Sequence, residues 1–113
     1  MKKKNIKIEG IGLEIYYENL GDTAEWTYPE ALHQLKFLEG GGWRLPTINE
    51  MIYIDSLSDL GVIFLYFGQY WCNEKGDLSF SYYSIEEFGR NYVGAATNED
   101  TDRMVRPVRN IWR

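Results

Sequence analysis

The stretch Gly-Gly-Trp-Arg-Leu-Pro-Thr-Ile-Asn-Glu, residues 41–50, marks the end of one predicted helix and the start of the next. Glycine takes the left-handed conformation without steric cost, so the run at residues 40–42 is expected to end the first helix. Thr47 and Glu50 have the spacing of a capping box, a helix start worth on the order of 1 kcal/mol. Pro46 keeps the residue before it extended. The chain is therefore expected to turn between two helices here.

The other side chains of this stretch are expected to build structure. Trp43 and Leu45 are apolar anchors for the core, and Arg44 is expected to pair with a buried carboxylate or with backbone carbonyls. A ligand role for Arg44 is the alternative. Arg106 and Arg109, near the other end of the sequence, are likewise expected to pair with acidic side chains.

Both predicted helices have a one-sided apolar pattern. The first is predicted to begin near Thr27, which can cap it, with Pro29 in its opening turn and Glu30 near the positive end of its dipole. Its apolar face comprises Tyr28, Ala31, Leu32, Leu35 and Leu38. The second is predicted to end no later than Gly61, and its apolar stripe comprises Ile48, Met51 and Ile52.

Short extended segments flank the helices. Apolar residues alternate with polar ones before the first helix, and β-branched and aromatic residues dominate after the second. Strands are predicted at residues 5–17 (as one or two segments), 62–67, 70–72, 78–83, 92–94 and 104–108, with a turn at 73–77. Pro107 restricts the last strand to an edge, a strand end or a bulge. Strict alternation would put Val105 and Val108 on opposite faces, so a bulge or burial on both sides is expected. This order of elements is typical of an α+β fold.

The chain of 113 residues, 44% hydrophobic and 26% charged, has the length of one domain, so a single domain over residues 1–113 is expected. One cysteine, Cys72, excludes an internal disulfide and a zinc site built from several cysteines. No apolar run reaches the roughly 18 residues of a membrane span, so no membrane insertion is expected. The basic start lacks the apolar stretch of a secretion signal. A cytoplasmic location is the default expectation, with a secreted or phage-particle location as the alternative.

Charge is distributed unevenly along the sequence, although the net charge is only −5. Eight of the twelve basic residues lie in the first nine or last eleven positions: Lys2, Lys3, Lys4, Lys7, Arg103, Arg106, Arg109 and Arg113. Between Gly10 and Asp102, four basic and sixteen acidic residues give a balance of −12. An acidic body repels phosphate backbones, so no nucleic-acid partner is expected. The basic ends are expected either to favour solubility and protect exposed strands, or to lie side by side as strands next to the acidic body.

Few residues offer catalytic or metal-binding chemistry. Cys72 lies in a predicted aromatic strand and is expected to be a small buried hydrophobe, while His33 lies off the apolar face of its helix. The acidic cluster comprises Asn98, Glu99, Asp100 and Asp102. It lacks the glycine and final glutamate of an EF-hand loop, so a solvated turn is expected, with a weak calcium or magnesium site as the alternative. No cofactor and no metal are expected.

The segment between residues 66 and 92 is rich in aromatic and polar side chains. Mixtures of tyrosine with serine, glycine and asparagine are typical of adaptable binding surfaces, because tyrosine offers a large contact area at low entropic cost. About half of these aromatics are expected to face the core by strand alternation. The predicted binding surface comprises Tyr70, Asn73, Tyr82, Tyr83, Asn91 and Tyr92.

Several of these features occur together in a recognisable order. They are Trp26 before the first helix, Gly-Gly-Trp-Arg-Leu-Pro-Thr at 41–47, Glu50, Tyr70-Trp71, and Val-Arg-Pro-Val-Arg at 105–109. In this combination the sequence resembles the Lcl C-terminal domain family of bacterial and phage proteins, a branch of the C-type-lectin-like fold. The structural motif of the resemblance comprises Trp43, Arg44, Leu45, Pro46, Thr47, Glu50, Trp71, Arg106, Pro107 and Arg109.

The resemblance implies a small, mostly antiparallel sheet with paired N- and C-terminal strands, two flanking helices and long loops. The resemblance, the aromatic-rich loops and the missing catalytic constellation together favour a non-enzymatic binding module that recognises a protein or a glycan through these loops. A structural component of a phage or surface assembly is the alternative, and a metal- or thiol-dependent enzyme related to the formylglycine-generating enzyme is a third hypothesis. The sequence lacks the calcium-binding motifs of sugar-binding C-type lectins. Its single cysteine cannot form the lectin disulfides or the cysteine pair of the formylglycine-generating enzyme.

Overall fold

The computed structural model describes residues 3–76 and 79–111 and contains, in that part of the chain, two α-helices and six strands, besides one short 3-10 helix at Glu9–Ile11. In chain order they are β1 (Ile6–Ile8), β2 (Leu13–Ile15), α1 (Tyr28–Leu35), α2 (Ile48–Asp59), β3 (Gly68–Gly76), β4 (Ser79–Ile85), β5 (Tyr92–Ala96) and β6 (Val108–Asn110). Neither helix in these ranges is long and apolar enough to cross a membrane. The architecture is α+β, as the order of the predicted elements indicates.

Both helices begin where the sequence predicts, because each N-terminus has a complete capping box. The Thr27 hydroxyl accepts a hydrogen bond from the Glu30 amide at 3.3 Å, and the Glu30 carboxylate accepts one from the Thr27 amide at 3.0 Å. Thr47 and Glu50 exchange the same two bonds at 3.1 and 2.9 Å. These bonds satisfy amide groups that have no partner within the helix.

The helices differ from the prediction in where α1 ends and in which apolar residues they bury. α1 ends at Leu35 rather than at Gly40, and its Leu32 is 42% exposed. The glycines at 40–42 form part of the connection after α1, each at positive φ. Ile52 is 45% exposed, whereas the buried residues of α2 are Met51, Ile54 and Leu57. The strands against which each helix packs decide which of its apolar residues are covered, and apolar spacing alone does not.

The first sheet has the strand order β1-β2-β6 and is antiparallel throughout. Ile15 lies opposite Val108 in the β2–β6 register, which confirms the predicted pairing of the N- and C-terminal strands. The last strand begins at Val108 rather than at residue 104. Pro107 precedes it and lacks the amide hydrogen that a strand interior requires.

The second sheet has the strand order β3-β4-β5 and is also antiparallel. The expectation of one sheet is therefore corrected to two small sheets. β3 continues through Gly76, so the turn predicted from Asn73 onwards does not begin there. Asp77 and Leu78, which the sequence placed in that turn and at the start of the next strand, lie outside the described residues.

Residues 62–67, predicted as a strand, form an irregular segment between α2 and β3. Ile63 and Leu65 are each 7% exposed, while Val62 and Phe64 are 53% and 67% exposed. A run in which every residue is apolar has no alternation of polarity. The sequence pattern therefore did not distinguish its buried positions from its exposed ones.

Two apolar cores lie on either side of the second sheet. In β3, Tyr70 and Cys72 belong to the first core and Trp71 to the second, since successive side chains point to opposite faces of a sheet. The first core comprises Leu13, Ile15, Met51, Ile54, Leu57, Ile63, Leu65, Tyr70, Cys72, Tyr83, Ile85, Met104 and Val108. The second core comprises Leu20, Tyr28, Ala31, Leu35, Trp43, Leu45, Trp71, Ala96 and Val105.

The segment at residues 103–108 connects the two sheets and reaches both cores. Met104 runs beside β3, where its carbonyl accepts a hydrogen bond from the Trp71 amide at 3.0 Å. Val105 lies in the second core and Val108 in the first, and both are 0% exposed. The expected burial of these two valines on both sides of the chain is confirmed.

Candidate binding surfaces

Of the six residues predicted to form the binding surface, two lie in the first core. Tyr70 is 0% exposed and Tyr83 is 7% exposed, so their assignment to a contact surface is corrected. Tyrosine is buried readily when its hydroxyl finds a hydrogen-bond partner, and both of these hydroxyls have one. The four residues that retain exposed surface are Asn73, Tyr82, Asn91 and Tyr92.

The Tyr70 hydroxyl belongs to a buried polar network that fixes the backbone between α2 and β3. It accepts hydrogen bonds from the Asn19 side-chain amide at 3.0 Å and from the Tyr66 backbone amide at 3.1 Å. Arg106, which is 3% exposed, donates to the Asn19 side-chain oxygen at 2.9 Å and to the Phe64 carbonyl at 2.6 Å. Burial raises the pKa of Tyr70 and lowers the pKa of Arg106. The network therefore holds the segment from which Phe64 projects.

The three arginines that were expected to pair with acids or carbonyls differ in their partners. Arg109 pairs with Glu14 at 2.9 Å and Arg44 with Glu50 at 2.7 Å, as expected. In the described part of the chain Arg106 donates only to neutral oxygens, so the prediction of an acidic partner for it is wrong. Amide and carbonyl oxygens satisfy its donors without burying a second charge.

A second polar cluster ties α2 to the loop between β4 and β5. Asp55 Oδ2 accepts hydrogen bonds from the Tyr83 hydroxyl and from the Asn91 side-chain amide, both at 2.8 Å. The Asn91 side-chain oxygen accepts a bond from the Glu86 backbone amide, also at 2.8 Å. Burial, together with the hydrogen bond to Asp55, raises the pKa of Tyr83 to about 12. The phenol therefore keeps its proton, and its hydrogen bond to Asp55, to a higher pH than an ordinary tyrosine does.

A groove of about 710 Å³ opens beside this cluster, and we call it the α2 groove. Three acidic residues line it: Asp55, Asp59 and Glu86. Three exposed apolar residues, which we call its apolar floor, also line it: Val62, Phe64 and Phe67. Phe64 is 67% exposed and Phe67 61%. Neither lysine nor arginine is among the described residues that line it. The groove thus combines an apolar floor with negative charge.

The sequence did not reveal the apolar half of the α2 groove. Its residues were assigned to a strand, and the exposed and buried members of the run are equally apolar. Gly61 and Gly68 flank the apolar run at residues 62–67 and have φ values of 77° and 131°. These two glycines could have indicated from the sequence that the run begins and ends in bends. Asn91 is the predicted surface residue that does lie in this groove.

Tyr82 and Tyr92 form the outer end of an aromatic stack on the second sheet. The Arg103 guanidinium lies between two rings, 4.5 Å from the centre of Trp71 and 4.2 Å from that of Tyr82. Tyr92 meets Tyr82 edge-on at 6.4 Å. Arg103 is fixed by the Gln69 side-chain oxygen, which accepts its Nε–H at 2.8 Å. This cation–π arrangement orients the Tyr82 ring along the sheet surface.

A second groove of about 770 Å³ lies beside the first sheet. It is lined by Lys3, Lys4, Lys7 and Arg109, with Tyr16, Tyr17, Glu14 and Glu39 among the other lining residues. The Arg109 guanidinium lies 4.3 Å from the ring centre of Trp43. Within the described ranges, the three lysines form no ion pair at 4.0 Å or less. Four of the eight basic residues from the two ends of the sequence therefore lie together beside the first sheet. Lys2 and Arg113 lie outside the described residues.

The residues considered for catalysis and metal binding do not form a joint site. Cys72 is 0% exposed in the first core, and His33 lies on the exposed side of α1. Glu99, Asp100 and Asp102 are exposed in a turn where the Asn98 side-chain oxygen accepts the Asp100 amide at 2.8 Å. Over residues 3–76 and 79–111, no three or more His, Cys, Asp or Glu side chains are grouped so as to hold a metal ion.

Comparisons of the chain with protein-family models, with curated proteins and with solved structures found no match.

Proposed function

We propose that this chain is a non-enzymatic binding module whose α2 groove takes a segment of a partner protein. The exposure of Phe64 and Phe67, at 67% and 61%, is the observation that carries the proposal. Exposed aromatic side chains that line a concave surface mark interaction sites, because their burial against a partner removes apolar area from water. The groove is held in shape from two sides, by the Arg106 network and by the Asp55 cluster.

The charge of the groove favours a partner segment that combines apolar side chains with lysine or arginine. Asp55, Asp59 and Glu86 put three carboxylates around an apolar floor. Complementary charges steer association and select the partner, while buried aromatic contacts supply most of the affinity. An acidic body also disfavours nucleic acid, as the sequence indicates.

We further propose that the fold is C-type-lectin-like and that the chain is related to the Lcl C-terminal domain family. The paired terminal strands and the long segments without helix or strand support this assignment. Trp43, Leu45, Pro46 and Pro107 of the shared motif are all buried, as structural anchors would be. A structural component of an assembly is the second candidate function, and the open edge of β5 described below favours it.

Thiol chemistry is not part of the proposal. A catalytic thiolate must reach a substrate, and the Cys72 side chain is 0% exposed, on the side of β3 that contributes to the first core with α2. The Cys72 thiol instead lies 3.9 Å from the Tyr70 carbonyl within the first core.

The test uses synthetic peptides that carry two phenylalanines flanked by lysines, and matched peptides in which glutamate replaces lysine. We expect the lysine peptides to bind and to shift the amide resonances of residues around the α2 groove in a two-dimensional NMR titration. The double variant Phe64→Ser/Phe67→Ser is expected to lose this binding, because the apolar floor is removed. Phe37→Ser is the matched control, since Phe37 is 70% exposed and does not line the groove. Equal binding of the glutamate peptides, or equal loss in the control, would contradict the proposal.

A further inference from the structure

The two sheets differ in how their outermost strands are protected. β1, at one edge of the first sheet, has three residues and carries the exposed Lys7 at its centre. β5, at one edge of the second sheet, has five residues, Tyr-Val-Gly-Ala-Ala, and none of them is charged or proline. Proteins protect exposed edges with lysine, proline, bulges or short strands, because an open edge pairs with other strands. β5 has none of these protections.

The outer edge of β5 is open. Tyr92 and Val93 are 44% and 47% exposed, and Ala95 is exposed as well. β5 pairs with β4, and within the described ranges no backbone group of any other segment is bonded to it. The amide and carbonyl groups on its outer side are therefore available to a further strand.

We propose that β5 pairs with β5 of a second copy of this chain, antiparallel and about a two-fold axis at Gly94. In this register Tyr92 lies opposite Ala96 and Val93 opposite Ala95, so each large side chain meets a small one. The second sheet of one copy, β3-β4-β5, and the second sheet of the other copy then form one sheet of six strands. A two-fold interface requires a self-complementary surface, and this uncharged strand provides one because each large side chain faces a small one.

The residues that flank β5 add charge complementarity to the proposed contact between the two copies. Continued by two residues beyond the strand, the register puts Arg90 opposite Asn98, next to the exposed Glu99 and Asp100. The two-fold axis repeats this opposite-charge contact at the other end of the interface. The Tyr82 ring packs directly against the backbone of Gly94. Any side chain at position 94 would collide with this ring, since a Cβ there would clash with Tyr82 Cζ. The rings of Tyr82 and Tyr92 therefore flank the centre of the pairing on one face of the sheet. This inference does not depend on the function proposed for the α2 groove.

Sedimentation velocity over a range of protein concentrations tests the pairing. The native chain is expected to form a species of twice its 13.3 kDa mass, in a proportion that rises with protein concentration. Val93→Lys introduces a charge on the edge and is expected to raise the dimer dissociation constant about tenfold or more. Ile11→Lys is the matched control, because Ile11 is a β-branched residue that is 55% exposed and lies neither in β5 nor in either groove. A native chain that stays monomeric, or equal effects of both variants, would overturn the proposal.

Disulfide trapping tests the register independently of dimer stability. Opposite positions of an antiparallel pair have Cβ atoms about 5 Å apart, whereas diagonal positions are about 7–8 Å apart, beyond disulfide reach. A mixture of Val93→Cys and Ala95→Cys chains is therefore expected to form a disulfide-linked dimer on mild oxidation. Either variant alone is expected to remain unlinked. The native Cys72 does not interfere, because it is 0% exposed. Equal yields from one variant alone would overturn the register.

Discussion

At the scale of single residues, Glu50 has two roles at once. Its carboxylate accepts the Thr47 amide at 2.9 Å, which completes the cap of α2, and pairs with Arg44 at 2.7 Å. Arg44 in turn donates to the side-chain oxygen of Asn110 on β6 at 2.7 Å. The start of a helix is thereby fixed to the C-terminal strand. The hydrogen bond from Arg44 holds the pKa of Glu50 below its ordinary value.

This lowered pKa gives a pH dependence with a definite sign. A carboxylate whose pKa is lower in the folded state stabilises the fold above its unfolded pKa, about 4.3, and the contribution is lost as the pH falls through the folded value. Glu50→Gln cannot ionise, so we expect it to lower the free energy of unfolding by about 1–2 kcal/mol at pH 7. The difference from the native chain should shrink below pH about 4. Urea unfolding at several pH values measures it.

Glu30→Gln is the matched control for this prediction. Glu30 completes the same capping box on α1, but it forms no ion pair within the described ranges. Its replacement should therefore cost less at pH 7 than that of Glu50. A cost of Glu50→Gln that stayed constant from pH 7 to pH 3 would contradict the assignment of its stabilising effect to the ion pair.

At the scale of elements, the connection after α1 is shaped by close approach as well as by backbone conformation. Gly40 and Gly41 both have positive φ, 95° and 71°, which only glycine adopts without strain. A Cβ at Gly40 would lie 2.4 Å from Arg109 Nη1, whereas one at Gly41 would meet nothing within 4 Å. Arg109 lies there because it pairs with Glu14. Arg109 therefore leaves no room for a side chain at Gly40, whereas at Gly41 it bonds only to the carbonyl, at 3.0 Å, and the space for a side chain is open.

Alanine at these two glycines separates the two effects. Gly41→Ala is expected to lower the free energy of unfolding by about 1 kcal/mol through backbone strain alone. Gly40→Ala should cost clearly more, because Arg109 must also move away from Glu14 and from the Trp43 ring. Denaturant unfolding of both variants measures the difference. Equal costs would show that Arg109 moves aside freely and that its packing does not stabilise the turn.

At the scale of the whole molecule, the last segment joins the two cores. Met104 and Val108 belong to the first core and Val105 to the second. The backbone of the same segment forms hydrogen bonds to β3 at Met104. At Arg103 it bonds to Trp26, the residue before the N-cap of α1. Neither core can lose this segment without affecting the other. The protein is therefore expected to unfold as one cooperative unit.

Alanine substitution of the two valines tests this cooperativity. Val105→Ala and Val108→Ala are each expected to lower the free energy of unfolding by about 2 kcal/mol, since both side chains are fully buried. Tryptophan fluorescence reports mainly on the second core, and far-ultraviolet circular dichroism reports on all elements. Both signals should change at the same denaturant concentration in each variant. Separate transitions in Val105→Ala would contradict a single unit.

The sequence by itself determined the features that depend on neighbours along the chain. The cap at Thr27 and the capping box of Thr47 with Glu50 were predicted, because these bonds join residues three positions apart. The pairing of the terminal strands, which lie far apart in the sequence, was instead implied by the family resemblance, and the structure confirms it. That Arg44 and Arg109 pair with oxygen acceptors was expected from the chemistry of the guanidinium, but the sequence did not identify Glu50 and Glu14 as those acceptors.

Only the tertiary structure decided which apolar and aromatic residues are covered. Tyr70 and Tyr92 look alike in the sequence, but Tyr70 meets Asn19, 51 positions away, and is buried, while Tyr92 lies on an open edge. Phe64 and Leu65 are equally apolar neighbours, yet Phe64 is exposed and Leu65 is in the first core. Burial is decided by contacts between distant parts of the chain, and the local pattern of residue types does not contain them. The α2 groove and the open edge of β5 are both consequences of such contacts.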